Sequence, residues 1–307
     1  MTYVAVSGLK ASDLCEMAER RWRAIAEARP DLSPAVDLQR QLLGLVVDLR
    51  TALDGRPVPR LSLPPKYVAA KLARAVPVFA GEPIPLPVPL LAPALGQFCD
   101  ALAAGGAADA ATHIREAIDG GSIEVASLLS ASFQRDQTAI RTGATHRGLS
   151  PDLVWLIAEL AVSPFAHRLQ RMIFERAEPD PLREAMAAWT AGHCPACGSW
   201  PALAEVVGGS RTLRCSFCAS AWELPTYACI YCGNGGETFV TAAPDEERKD
   251  RRLELCSTCG GYLKTIDLPE LSPFPLQAIS DIETTDLDVA AMEHGYARPA
   301  LRSFARR

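Results

Sequence analysis

Through most of the first 190 residues, apolar side chains return every three or four positions, a period that marks helices. Over 12–29 the spacing picks out Cys15, Met17 or Ala18, Trp22 and Ile25, and it stops at Pro30. The stretch 33–53, SPAVDLQRQLLGLVVDLRTAL, opens with Ser33 as a cap and Pro34 in the first turn. It carries Leu38, Leu42, Leu45, Val46 and Leu49 on one face. Helices are also expected over 97–118 and 123–141, each bounded by glycine, and over 151–161 behind Ser150-Pro151-Asp152. The span 165–189 reads as one or two more, interrupted near Pro179 and Pro181. Residues 76–95 are strongly apolar but hold six prolines. That rules out a continuous membrane-spanning helix and suggests extended chain lying on a surface.

At Ala191-Gly192 the pattern changes. Paired cysteines and glycines replace helical spacing, and short strand-like pieces appear: TLRC, ETFVTA and YLKTI. Helical spacing returns around Thr285–Glu293. The expected class is therefore α+β. A helical domain covers 1–190, two small metal-binding modules cover 191–226 and 227–271, and a short helical tail covers 272–307.

The cysteines carry the chemistry. Eight of the ten fall within 66 residues, as four Cys-x-x-Cys pairs: Cys194 and Cys197, Cys215 and Cys218, Cys229 and Cys232, Cys256 and Cys259. Two intervening residues let the chain turn both sulfurs toward one point, and two such turns supply a tetrahedral set for zinc or iron. Gly198, Gly233 and Gly260 follow three of the pairs, where such turns often need positive φ, and Ala219 follows the other. Pairing neighbours puts Cys194, Cys197, Cys215 and Cys218 in one site and Cys229, Cys232, Cys256 and Cys259 in the other. The intervening segments are 17 and 23 residues.

Other readings of the pairs fit less well. The amino terminus has no basic region followed by a long apolar stretch, so a soluble, cytoplasmic protein is expected, and that compartment disfavours disulfides. A dithiol redox enzyme would place one pair at a helix start in a βαβ setting, and iron–sulfur clusters use other spacings. With four protein ligands each, neither site leaves a position for metal hydrolysis. Cys15 and Cys99 read as buried small hydrophobes, and His193 as an outer-shell or surface residue. No Ser/His/Asp set, phosphate loop or nucleotide fingerprint is present, so no catalytic residue is assigned. A net charge of −5 supplies no general field for nucleic acid, and the cationic cluster EERKDRRLELC is diluted by acidic neighbours.

Taken together, CPACGSWP, RCSFCASAW, CIYCGN, ELCSTCGGYLKTID and the late EHGYARPALRSF resemble the formate dehydrogenase accessory protein family, FdhE. The early AERRWRAIAE is similar to its helical amino-terminal part. The match covers most of the chain and is strongest over 194–304. It implies a cytoplasmic, non-catalytic factor that assists maturation of respiratory, molybdenum-containing formate dehydrogenase by binding its catalytic subunit. It also implies rubredoxin-like centres behind a helical domain, so iron is favoured, with zinc chemically possible at the same thiolates. Membrane insertion and nucleic-acid binding are not expected. Two alternatives from other classes stay open: a zinc-ribbon nucleic-acid-binding protein and a rubredoxin-like electron carrier.

Overall fold

The computed structural model describes residues 2–57, 61, 63–175, 180–224, 227–245 and 247–300. In chain order they form β1 (Thr2–Val4), α1 (Ala11–Ala28), α2 (Ser33–Asp54), α3 (Pro65–Leu72), α4 (Val88–Leu102), α5 (Ala108–Asp119), α6 (Val125–Phe133), α7 (Gln137–His146), α8 (Pro151–Phe174) and α9 (Asp180–Ala187). There follow β2 (Pro201–Val207), β3 (Ser210–Cys215), β4 (Ala221–Glu223), β5 (Phe239–Ala242), β6 (Arg251–Cys256), β7 (Gly261–Asp267), α10 (Gln277–Glu283) and α11 (Thr285–Glu293). The class is α+β: helices first, then a sheet that carries both sets of cysteines.

The chain divides into two compact units. One, Leu9–Leu61 with Gly81–Leu169, is helical. Its core takes one stripe from each helix, including Leu14, Ala18, Trp22 and Ile25 of α1 and Val36, Leu43, Val46 and Leu53 of α2. The α1 stripe is anchored on Leu14, so Cys15, one residue on, is exposed rather than buried. Cys99 is buried in α4, as its spacing suggests.

The proline-rich span departs from expectation. Its second half is helix, because Pro87 and Pro89 sit at the start of α4, where a missing N–H leaves no bond unmade. Pro93 lies inside that helix, and Leu91, Leu95 and Phe98 are fully buried. By length and composition Val88–Asp119 is apolar enough to cross a membrane, yet 44% of its most apolar window is buried within the protein. The backbone also breaks at Gly106, with φ of 107°. Likewise α8 runs unbroken through Pro164, where two helices were expected. The interruption expected at Pro179 lies outside the described residues.

The other unit comprises Met1–Gly8, Ser62–Ala80 and Gln170–Arg307. Its centre is one seven-stranded sheet in the order β1-β4-β3-β2-β7-β6-β5. Every neighbouring pair is antiparallel except β2 and β7, which run parallel from Leu203↔Lys264 to Val206↔Asp267. The two cysteine-bearing regions thus share one continuous sheet. The residues after β7 cover one face of it. Arg214 donates to the Ser272 carbonyl at 2.7 Å, Gln277 to the Cys215 carbonyl at 2.8 Å, and Trp200 Nε1 to the Ala300 carbonyl at 2.9 Å. Leu287 and Ala291 of α11 pack on Leu253 and Tyr262.

Candidate metal centres

Each Cys-x-x-Cys pair sits in a turn whose bonds are set by local sequence. The Cys194 carbonyl accepts from Gly198 N–H at 2.9 Å, Cys229 from Gly233 at 2.8 Å, and Cys256 from Gly260 at 2.9 Å. The N–H groups of Cys194, Cys215 and Cys229 donate to the carbonyls of Ser199, Ser220 and Asn234, five residues on. To close these turns the residue after the second cysteine turns left-handed: Gly198 at φ 85°, Gly233 at 80°, Gly260 at 66°, and Ala219 at 56°. The three glycines make that turn without strain, and Ala219 makes it against the Cβ penalty.

Two of these turns meet at each cluster. The structure brings together Cys194, Cys197, Cys215 and Cys218, and separately Cys229, Cys232, Cys256 and Cys259, with the sulfurs of each set within 4.8 Å of one another. The closest cross-turn sulfurs are Cys194 and Cys218 at 3.6 Å, Cys197 and Cys215 at 3.5 Å, Cys229 and Cys259 at 3.6 Å, and Cys232 and Cys256 at 3.6 Å. A tetrahedral ion with metal–sulfur bonds of about 2.3 Å separates its ligand sulfurs by about 3.8 Å. Each cluster could therefore hold one metal ion in a four-sulfur site, as the donor set suits both zinc and iron.

Their protonation points the same way. Burial, reinforced by the neighbouring thiols, pushes Cys194 and Cys218 well above the ordinary thiol range. Burial also raises Cys229 and Cys259. At Cys256 burial pulls upward too, but the Cys259 N–H, the Cys232 thiol and the Thr258 N–H outweigh it and bring the thiol down to about 7. Packed thiols that resist ionising beside one another lose that resistance when a cation takes their charge.

The surroundings differ. All four cysteines of the first cluster are buried, whereas Cys232 and Cys259 of the second are exposed. His193, beside Cys194, is buried rather than on the surface. Its Nε2 lies 3.3 Å from the Ala75 carbonyl, and its ring meets Trp189 and Trp200 edge-on. Trp200 in turn meets Tyr231, which lies between Cys229 and Cys232, at 5.0 Å between centroids. A Cβ on Gly192 would collide with the Ile230 carbonyl, so the chain entering the first cluster lies directly on the second. In the sequence Gly192 marks only the change of pattern, since it belongs to no Cys-x-x-Cys motif and nothing local points to Ile230. Of the aromatic residues near the turns, Phe217, Trp222, Tyr231 and Tyr262 are buried and Tyr227 is exposed.

No family model matches the chain. A homologue of Protein FdhE from Haemophilus influenzae is 35% identical over 116 residues, a stretch that spans 36% of this chain and only 38% of that relative. One from Rhizobium meliloti is 24% identical over 220 residues, covering 64% of this chain and 72% of the relative. The crystal structure of the FdhE protein from Pseudomonas aeruginosa superposes with a TM-score of 0.57 over 99% of both chains, at 23% identity. The chain is similar in sequence to FdhE homologues over part of their length. The Pseudomonas FdhE structure shares the fold along the whole chain, and the Haemophilus and Rhizobium FdhE homologues supply the sequence likeness.

In the cationic cluster Arg248 and Lys249 are exposed, whereas the two arginines that follow are engaged. Arg252 pairs with Asp267, and Arg251 donates to the Glu283 carbonyl. Glu246 of that cluster and Leu301–Phe304 of the late motif lie outside the described residues.

Proposed function

We propose that this protein is a cytoplasmic accessory factor in the maturation of respiratory, molybdenum-containing formate dehydrogenase, that it binds the catalytic subunit, and that it has no enzymatic activity of its own. The observation that carries this reading is the pair of four-sulfur clusters built into one sheet, in a chain similar to the FdhE proteins. The eight cysteines, from Cys194 to Cys259, are the proposed ligands of two ions, with iron favoured by the family resemblance. Four protein donors at each cluster complete a tetrahedron and leave no position for substrate, which suits a structural or electron-carrying ion better than a hydrolytic one. The sheet with its metal-binding turns would then contribute to the client-binding surface.

The test is deletion of the gene followed by two measurements on the same cells. Formate dehydrogenase subunits should still be synthesised while formate oxidation falls. The affinity-tagged protein should recover the catalytic subunit from cell extract, with metal quantified in the same eluate. Unimpaired formate oxidation in the deletion strain would overturn the proposal.

A further inference from the structure

The two cysteine-bearing regions repeat one plan. Each runs from a first turn into a hairpin, through a second turn at the hairpin's end, and into a third strand. The strands are β2, β3 and β4 in the first region and β5, β6 and β7 in the second. In the sheet the two groups lie head to tail, β4-β3-β2 followed by β7-β6-β5. Hence β5 holds in the second region the place that β2 holds in the first. The outer edge of β2 is covered by β7, running parallel. The outer edge of β5 has no partner strand among the described residues.

That edge is equipped to take one. The register runs from Phe239↔Cys256 to Ala242↔Leu253 without a bulge, and Ser257 N–H donates to the Thr238 carbonyl at 2.9 Å. Bonded pairs alternate along an antiparallel ladder, so Val240 and Ala242 bond to β6 while Thr241 turns its N–H and C=O outward and Phe239 its C=O, the Phe239 N–H being held by the Gly236 carbonyl. Edge strands are commonly protected by charge, proline or a bulge, and Phe-Val-Thr-Ala has none of these. Val240 is 48% exposed. The pleat sets Val240 and Ala242 on the same face as Leu253, Leu255 and Tyr262, the face that α11 covers. A strand added here would extend both the ladder and that apolar layer.

We propose that the β5 edge receives a short extended segment of a partner polypeptide as an eighth strand, parallel to β5, with an apolar side chain beside Val240. Main-chain bonds would supply the attraction and the alternating face the selectivity, as in other strand-addition complexes. The parallel sense follows from the seam between β2 and β7, the filled counterpart of this edge. With only four residues on offer, the docking is brief and reversible. It does not depend on the accessory reading: a harmless gene deletion would leave it standing, and failure of the peptide test would leave the accessory reading standing.

The probe is a synthetic heptapeptide with the sequence of β7, Gly-Tyr-Leu-Lys-Thr-Ile-Asp, added to the full metal-loaded chain. Amide hydrogen exchange is read residue by residue. The Thr241 amide should exchange rapidly in the free protein and slow by about tenfold or more with millimolar peptide. Thr241→Pro, at a position whose N–H the β6 ladder does not use, should abolish that binding with circular dichroism and metal content unchanged. Val240→Lys should weaken it. Absence of protection, or binding indifferent to Thr241→Pro, overturns the proposal. So does protection already present without peptide: if it rises with protein concentration the edge belongs to a second copy, and if it does not the edge is covered by the protein's own chain.

Discussion

In the first cluster all four cysteines are buried, whereas in the second Cys232 and Cys259 are exposed. The local turns are nearly the same, so the difference comes from position in the sheet. The strands of the first region are flanked on both sides, β4 by β1 and β2 by β7. Among the described residues those of the second are flanked only by β2, which leaves β5 at the edge. One cluster is therefore part of a core and the other part of a surface, though each offers the same four donors. Identical ligand sets should then behave unequally, and the inequality can be measured.

The largest effect is expected from removing donors. Cys194→Ser with Cys197→Ser should cost the whole sheet and both ions, because β2 is the seam on which β7 is built and Gly192 rests on Ile230. Apparent binding energies of about 10–16 kcal/mol for a structural zinc exceed what a small sheet can lose and stay folded. Cys232→Ser with Cys259→Ser should remove a single ion and leave the first region intact. Metal per chain, together with near-ultraviolet circular dichroism, distinguishes the two variants. Loss of one ion from each would show that the regions are independent despite the shared strands.

Next in size is a difference in rate. A strong chelator should empty the second cluster at least about tenfold faster than the first, since only the second exposes its ligands to an incoming competitor. A metallochromic dye should record two phases of equal amplitude. Brief alkylation and mass mapping during the fast phase should find Cys232 and Cys259 labelled and Cys194, Cys215 and Cys218 untouched. A single phase would mean that the exposure difference has no kinetic consequence.

Buried charges provide a third contrast. Glu205 on β2 and Arg214 on β3 form an ion pair that is fully buried, with Ser272 N–H and the Gln277 side chain completing part of its shell. Arg214→Met should destabilise by about 3–5 kcal/mol, because it strands the Glu205 carboxylate in the interior. Adding Glu205→Leu should recover most of the loss, since a buried pair is roughly matched by apolar residues of similar size. The partly exposed Arg252–Asp267 pair of the second region should behave differently: Asp267→Asn should cost less than about 1 kcal/mol. Denaturant melts of the metal-loaded variants give all three values.

These charges also explain what the sequence concealed. Helices over 12–29 and 33–53 stand within a residue or so of α1 and α2, because an apolar stripe on a long helix is a local signal. The cysteine spacing likewise made both clusters visible, since each is closed by turns of a few residues. Strands β2 and β6 did not register as strands. Glu205 and Glu254 sit inside them at buried positions, where a pattern of apolar and polar residues expects a surface. β1 is three residues long and has no period to read. The parallel seam joins residues about sixty positions apart, and nothing local announces it. The prolines of 76–95 misled for the opposite reason: a proline at a helix start and one inside the helical run look alike until the start is known.

The smallest expected effect isolates backbone strain at the turns. Gly233 and Gly260 have positive φ, and a Cβ added to either would meet nothing within 4 Å. Gly233→Ala and Gly260→Ala therefore test conformation alone and should each cost about 1 kcal/mol, the penalty for a Cβ in the left-handed region. Ala219 already bears that penalty at φ 56°, so Ala219→Gly should relieve it. Its methyl group is buried, however, and removing a buried carbon of that size forfeits about 0.8 kcal/mol. The two terms nearly cancel, and the net change should lie within about 0.5 kcal/mol of zero. Midpoints of urea unfolding, measured with metal in excess, resolve differences of this size when the slopes agree. A clear gain at Ala219→Gly would show that the packed methyl contributes little, and a clear loss that the first cluster depends on it more than the turn geometry does.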